Sequence, residues 1–199
     1  MRTLIASICT LEPQVAAHAQ EMFSVLSDAA IYEFENSPPP SAHWLAERYA
    51  RLERRTSDDG KEAWLNWVLR LPTGELAGYV QATVLPHDRA LLAYELGSRF
   101  WRRGLGRSAV AAVIDELALN YGVRLFAAVL NSANYRSRAL LLSLGFEPAS
   151  PQQSIEFEPE PDELVMLNSY KDQRRVDQLE ASLLARQACR VKTASAGRA

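Results

Sequence analysis

A segment rich in glycine and arginine, residues 99–108, contains the residue types that bind phosphate groups. It reads RFWRRGLGRS and separates a predicted strand from a predicted helix. The first N–H groups of a helix lack intrahelical partners and carry the positive end of the helix dipole. Glycines let a phosphate approach the backbone closely, and Arg102, Arg103 and Arg107 add cationic donors. The segment therefore predicts a pyrophosphate site, with a solvated turn as the alternative interpretation.

Two common nucleotide-binding patterns do not fit this segment. A dinucleotide fingerprint requires a third glycine, and a P-loop requires Gly-Lys followed by Ser or Thr. Residues 99–108 contain neither pattern. A different nucleotide-like ligand is therefore indicated.

A second polar segment, residues 131–138, lies where another predicted strand gives way to a helix. It reads NSANYRSR and is followed by Leu144-Gly145-Phe146. Asn134 can cap this helix or hold a ligand amide, and Ser137 lies about one helical turn further along. For Asn134 taken alone, capping is the simpler interpretation.

The elements that position both segments follow from hydrophobic periodicity and from turn residues. They predict the order β-α-α-β-β-β-α-β-α-β-β. The predicted strands cover residues 3–9, 63–71, 75–85, 89–97, 125–130, 154–158 and 163–170. The predicted helices begin at Glu12-Pro13, at Ser41, after Gly104 and near Asn134.

The connections between these elements predict the fold class. The short turns at residues 72–74 and 86–88 favour an antiparallel meander. The strand–helix–strand order around Gly104 implies a parallel crossover. We therefore expect an α+β domain built on one mixed sheet.

Composition and charge exclude several classes of protein. The 199 residues are 48% hydrophobic and carry a net charge of −2, which excludes wholesale disorder and a global basic field for nucleic acid. His18, His43 and His87 lack metal-ligand spacing, so no metal site is expected. The N-terminal apolar stretch is shorter than the roughly 7–15 residues of a secretory core. These features predict a soluble cytoplasmic protein with no membrane partner.

Together, the two polar segments resemble the motifs of the GNAT superfamily of acyl-CoA-dependent N-acyltransferases. Within it they are most similar to the branch of ribosomal-protein N-terminal alanine acetyltransferases. Trp101-Arg102-Arg103-Gly104-Leu105-Gly106 resembles the pyrophosphate loop Q/R-x-x-G-x-G/A. Residues 131–137 and 144–146 resemble a second motif, N-x-x-N-x-x-S followed by L-G-F. The resemblance covers about residues 3–170.

This resemblance implies a fold and a set of residues that bind acetyl-CoA. Helices cover both faces of the sheet, and the parallel strands 89–97 and 125–130 separate into a V that admits the pantetheine arm. Leu96 and Ser98 then pair with pantetheine through their backbone, and the amides of residues 103–108 hold the pyrophosphate. The implied binding residues are Leu96, Ser98, Arg102, Arg103, Gly104, Leu105, Gly106, Arg107, Ser108 and Asn134.

The resemblance also implies direct attack of a primary amine on the thioester, in a ternary complex without a metal. The acceptor is a protein N-terminus or a small molecule, and residues 32–35 lie where the family places acceptor-recognising segments. Glu95 is the candidate general base, and Ser137 resembles the position that protonates the thiolate.

Two departures from the family pattern support an alternative function. Leu141 stands where many members have a tyrosine acid, and Ala128 stands where an acidic residue is frequent. Both changes remove acid–base chemistry. The alternative is a non-catalytic acyl-CoA-binding or sensing module on the same fold.

Charge divides unevenly along the chain. Residues 171–199 contain seven Lys and Arg against three Asp and Glu, whereas residues 1–170 contain fifteen against twenty-one. We predict that residues 1–170 form the enzyme domain. Residues 171–199 are expected to form a basic extension with a short amphipathic helix and a disordered end. Both a monomer and a homodimer are compatible with this sequence.

Overall fold

One mixed sheet of eight strands runs through residues 1–34 and 36–170, the part of the chain that the computed structural model describes. Its strands are β1 Leu4–Ile5, β2 Thr10–Pro13, β3 Ala63–Arg70, β4 Leu76–Leu85, β5 Arg89–Leu96, β6 Leu125–Asn131, β7 Glu147–Pro148 and β8 Glu163–Ser169. Their spatial order is β1-β2-β3-β4-β5-β6-β8-β7. Glu35 and the predicted extension at residues 171–199 lie outside the described residues.

Helices pack against this sheet. They are α1 Ala19–Leu26, α2 Ala42–Leu52, α3 Leu105–Asn120, α4 Tyr135–Ser143 and α5 Pro151–Ser154. On one face, α1 and α2 bury Met22, Leu45 and Tyr49 against Val68 and Leu76. No helix among the described residues is long and apolar enough to cross a membrane. The predicted α+β class with one mixed sheet is confirmed.

The central strands explain where the sheet opens. β3, β4 and β5 form the predicted antiparallel meander. β5 and β6 are parallel, but their pairing covers three residue pairs and ends at Leu91 opposite Ala127. Since β5 continues to Leu96 and β6 to Asn131, the two strands separate over their C-terminal halves. The predicted V between them is therefore confirmed.

One predicted helix start and one predicted strand are wrong. The helix expected to begin at Glu12-Pro13 is present as α1 but begins at Ala19, and residues 10–13 form β2, which pairs with β3 and with β1. Leu11 is fully buried in this pairing, so tertiary contacts override the helix-starting tendency of the proline. The strand expected at residues 154–158 does not form: residues 151–157 are helical, and Ser150 and Gln153 form a capping box that begins this helix at Pro151.

Candidate functional site

A cavity of about 730 Å³ opens where β5 and β6 separate. Its volume is in the usual range for sites that bind small molecules, about 300–1,000 Å³. The ends of β5 and β6, the start of α3 and the first turns of α4 form its walls. Of the residues singled out in the sequence, it is lined by Glu95, Leu96, Arg102, Gly104, Leu105, Gly106, Arg107, Asn134 and Ser137.

The glycine-rich loop begins α3 at the edge of this cavity. Gly104 is the N-cap residue with φ +76°, a left-handed conformation that favours glycine. The N–H of Ser108 donates to the Gly104 carbonyl at 3.0 Å, which is the first intrahelical bond. The preceding N–H groups, of residues 105–107, therefore have no intrahelical partner and can bind an anion. The Ser108 amide was expected to join them, but this bond already occupies it.

Gly106 has a different role from Gly104. A Cβ atom at this position would lie 2.7 Å from Cδ1 of Leu140, on α4. Glycine therefore allows α3 and α4 to approach closely behind the loop. This contact depends on tertiary packing, which the sequence pattern does not report.

The structure does not bring Ser98, Arg103 and Ser108 to the cavity wall. The Ser98 N–H, expected to pair with pantetheine, donates to Asp28 Oδ2 at 2.7 Å. The Arg103 side chain is exposed, and the Ser108 hydroxyl is hydrogen-bonded to the Ser7 hydroxyl at 2.8 Å. Leu96 does line the cavity, but its carbonyl accepts a hydrogen bond from Trp101 Nε1 at 2.8 Å.

Asp28 fixes the end of β5 through the contact with Ser98. Its carboxylate also accepts from the Ala30 N–H at 3.1 Å. Hydrogen bonds from Ser98, followed by that from Ala30, hold the pKa of Asp28 below its ordinary value. A depressed pKa in the folded state stabilises the fold above the unfolded pKa of about 3.9. That stability is lost as pH falls through the pKa of the folded state.

The variant Asp28→Ala is therefore expected to lower the free energy of unfolding by about 1–2 kcal/mol at pH 7, because it removes a cap and a charged acceptor. The difference from wild type should begin to shrink below about pH 3.9, where the carboxyl takes up a proton in the unfolded state, and should keep shrinking until pH falls below the lower pKa of the folded state. Urea unfolding of both proteins at pH 7 and pH 3 measures this difference in the free energy of unfolding. A difference that does not change with pH would contradict this role.

Tyr94 is a site residue that sequence reasoning missed. Its hydroxyl lies 2.8 Å from Ser137 Oγ, and it donates to the Ser137 carbonyl at 3.3 Å. Both side chains line the cavity. Strand alternation is the sequence feature that indicates it. Tyr94 precedes Glu95 on β5, so the two side chains project from opposite faces of the sheet.

Glu95 lies opposite Tyr79 on the face that α1 and α2 cover. It lines the cavity described above and also a second cavity, of about 300 Å³, together with Tyr79 and Asn36. Burial raises the pKa of Tyr32 and of Tyr79, and the charge of Glu95 adds to both shifts. The carboxylate therefore stands where the two cavities meet.

Asn134 and Arg136 organise the start of α4. Asn134 Oδ1 accepts from the Ser137 N–H at 3.0 Å, so the capping role is present in the structure. The Arg136 guanidinium lies 4.3 Å from the Trp101 ring centre and 5.0 Å from that of Phe34, and it pairs with Glu33. These contacts tie the loop at residues 32–34 to α4 beside the cavity.

The two departures from the family pattern have different surroundings. Leu141 is fully buried, so it belongs to the core. Ala128 lines the cavity but supplies no titratable group. Among the described residues, no three His, Cys, Asp or Glu side chains lie close enough to hold a metal ion.

Comparison with known proteins assigns the family. A profile of the acetyltransferase (GNAT) domain matches residues 9–147. No curated protein matches the chain. Among solved structures, the ribosomal L7/L12 alpha-N-protein acetyltransferase RimL in complex with coenzyme A gives a TM-score of 0.70 at 13% identity, over 84% of this chain and 97% of that one.

Two further structures are similar in the same way. The ribosomal-protein-S5-alanine acetyltransferase of Vibrio fischeri gives a TM-score of 0.68 at 15% identity, over 85% of this chain and 97% of that one. A microcin C7 self-immunity acetyltransferase in complex with acetyl-CoA and AMP gives a TM-score of 0.68 at 17% identity, over 82% of this chain and 93% of that one. At these low identities the solved structures show a shared fold. The family rests on the profile, which matches more than half of the sequence. The chain therefore belongs to the GNAT family of acetyltransferases.

Proposed function

We propose that this protein is an acetyl-CoA-dependent N-acetyltransferase that acts on a primary amine. One observation carries the proposal: the Glu95 carboxylate lines two cavities that meet at β5. The larger cavity ends at the unpaired N–H groups that begin α3, and the smaller one lies on the α1 and α2 side of the sheet. Such an arrangement favours a two-substrate transfer, because both substrates lie near a proton acceptor.

The larger cavity fits acetyl-CoA in its chemistry. The N–H groups of residues 105–107, with Arg102 and Arg107 beside them, would hold the pyrophosphate. Leu92, Leu130 and Leu140 supply apolar wall for the pantetheine arm. Acetyl-CoA brings an acetyl group already activated as a thioester. The residues of this chain bind it, orient it and handle protons.

Proton transfer accompanies the exchange of bonds. As the amine nitrogen bonds to the acetyl carbon, it loses a proton to Glu95, directly or through water. The carbon–sulfur bond breaks, and the thiolate takes a proton from the hydroxyl pair Tyr94–Ser137. A phenol has an ordinary pKa of about 10, close to the 8.5 of a thiol. A phenol is therefore a stronger acid than the Ser137 hydroxyl. The Ser137 Oγ lies 2.8 Å from the Tyr94 hydroxyl and orients it.

The variant Tyr94→Phe is expected to lower kcat about 10- to 100-fold, because a general acid contributes on that order or more. Its KM for acetyl-CoA should stay within about twofold of wild type, because the ring remains. Ser137→Ala should have a smaller effect. Tyr121→Phe, at the far end of α3, is the control and should not change kcat.

A second measurement separates this role from a structural one. If Tyr94 hydrogen-bonds the sulfur, the thiol pKa of bound coenzyme A should rise in Tyr94→Phe, because the thiolate loses a donor. The ultraviolet absorbance of the thiolate, followed against pH, reports that pKa. An unchanged thiol pKa and an unchanged kcat would contradict the assignment.

Thiol release tests the proposed function as a whole. The protein is titrated calorimetrically with acetyl-CoA and then assayed for thiol release with a panel of primary amines. We expect one bound acetyl-CoA per chain and amine-dependent release. Failure to bind acetyl-CoA would contradict the proposal, and binding without turnover on any amine would favour the sensing module.

A further inference from the structure

The smaller cavity lies between α2 and the sheet and leads to Glu95. Tyr32, Trp44, Arg48, Tyr49, Gln81 and Glu95 are among its lining residues. Its volume of about 300 Å³ is at the lower end of the range for sites that bind small molecules. A compact ligand therefore fits better than a long one.

Two buried polar atoms have no hydrogen-bond partner, and one of them belongs to a residue that lines this cavity. Tyr49, which lines the cavity, is 3% exposed, and its hydroxyl is unpaired. Asn66, opposite the cavity-lining Gln81, is 4% exposed, and its Oδ1 is also unpaired. In residues 1–34 and 36–170 these are the two buried side-chain atoms in this condition. Because native proteins pair nearly all such atoms, the Tyr49 hydroxyl favours a polar occupant in this cavity.

A cation and a carboxylate both line this cavity. The guanidinium of Arg48, an exposed residue, lies 5.8 Å from the centre of the Trp44 ring and makes no ion pair with any described residue. Burial raises the pKa of Tyr49 and of Tyr79, the charge of Glu95 adds to that rise, and Arg48 opposes it. The charges of Arg48 and Glu95 therefore shift the pKa of the same two phenols in opposite directions.

We infer that the smaller cavity binds the acceptor, a small amine that also carries a carboxylate or phosphate group, with its amine at Glu95 and its anion at Arg48. This inference rests on the proposed N-acetyltransferase function. A compact molecule with both charges can pair Arg48 and Glu95 each with its opposite charge, and its polar atoms can meet the Tyr49 hydroxyl. A protein N-terminus continues as a neutral amide beside its amine, and so offers Arg48 no such anion.

Matched pairs of amines test the inference in complex with coenzyme A. The probes are phenylalanine against phenylalaninamide, glycine against glycinamide, and phosphoethanolamine against ethanolamine. We expect an acidic member to bind at least about tenfold more tightly than its neutral counterpart in calorimetric titrations, and to show the same preference in thiol release. The carboxylate and phosphate pairs distinguish the two kinds of anion.

Variants of α2 attribute that preference to Arg48. In Arg48→Gln the preference should fall to within about twofold, and Arg48→Lys should restore part of it. Arg51→Gln removes a neighbouring exposed arginine outside the cavity and should leave the preference intact. Equal binding of both members, a preference that survives Arg48→Gln, or binding of acetyl-CoA with none of the amines would overturn the inference. Loss of acetyl-CoA binding would instead count against the proposed function itself.

Discussion

Replacing Gly104 with glutamate is expected to weaken acetyl-CoA binding at least about 100-fold, which corresponds to about 2.7 kcal/mol. Gly104 is exposed at the cavity wall, directly before the free N–H groups of residues 105–107. A carboxylate there would compete for those donors and repel the pyrophosphate. The left-handed φ of +76° would also strain any side chain.

Gly74→Glu is the matched control for this experiment. Gly74 has φ +93°, lies in the turn between β3 and β4, and has no atom within 4 Å of an added Cβ. The control therefore introduces the same charge and similar backbone strain away from the cavity. We expect comparable decreases in Tm for the two variants, and acetyl-CoA affinity within about twofold of wild type for Gly74→Glu alone. Wild-type affinity in Gly104→Glu would place the phosphate site elsewhere.

Replacing Glu95 with glutamine is expected to lower kcat by about 100-fold, the usual contribution of a general base. An amide keeps the shape of the side chain but does not accept a proton at neutral pH. Acetyl-CoA affinity should stay within about threefold, because the phosphate site is unchanged. The rate of the variant should rise with pH up to the pKa of the acceptor amine, because only the unprotonated amine attacks.

Glu147→Gln provides the control for the loss of a carboxylate. Glu147 is exposed on β7 and lines neither cavity. The kcat and pH profile of Glu147→Gln should match those of wild type. If Glu95→Gln instead kept more than half of the wild-type kcat with an unchanged pH profile, Glu95 would be a structural carboxylate.

Local sequence features predicted the central part of the fold. Short turns, alternation and a glycine just before a helical stretch are local signals, and they correspond to β3 to β5 and to α3. The pairing of β2 with β3 joins Thr10 to Arg70, two residues distant in sequence. No local pattern reports such a partner, so the proline at residue 13 favoured a helix that does not form there.

In the candidate site, too, local sequence patterns predicted the local structure but not the contacts between distant residues. The loop residues Gly104 to Arg107 could be found from residue type and order, because an anion site at a helix start is a local structure. The Ser98 N–H is taken by Asp28, which lies 70 residues away in sequence. Tyr94 meets Ser137 across the V, and Arg48 and Glu95 line the same cavity between α2 and the sheet. These contacts depend on strand register and helix packing.

The transfer of a labelled acetyl group to an amine tests the central claim most directly. Acetyl-CoA labelled with carbon-13 in the acetyl group is incubated with the protein and a mixture of free amino acids, phosphorylated amines and peptides. Mass spectrometry then follows the label. We predict a labelled N-acetyl product, formed in equal amount to the released thiol and nearly abolished in Glu95→Gln. Thiol release without any labelled amide, or a labelled amide formed equally well by Glu95→Gln, would contradict the account.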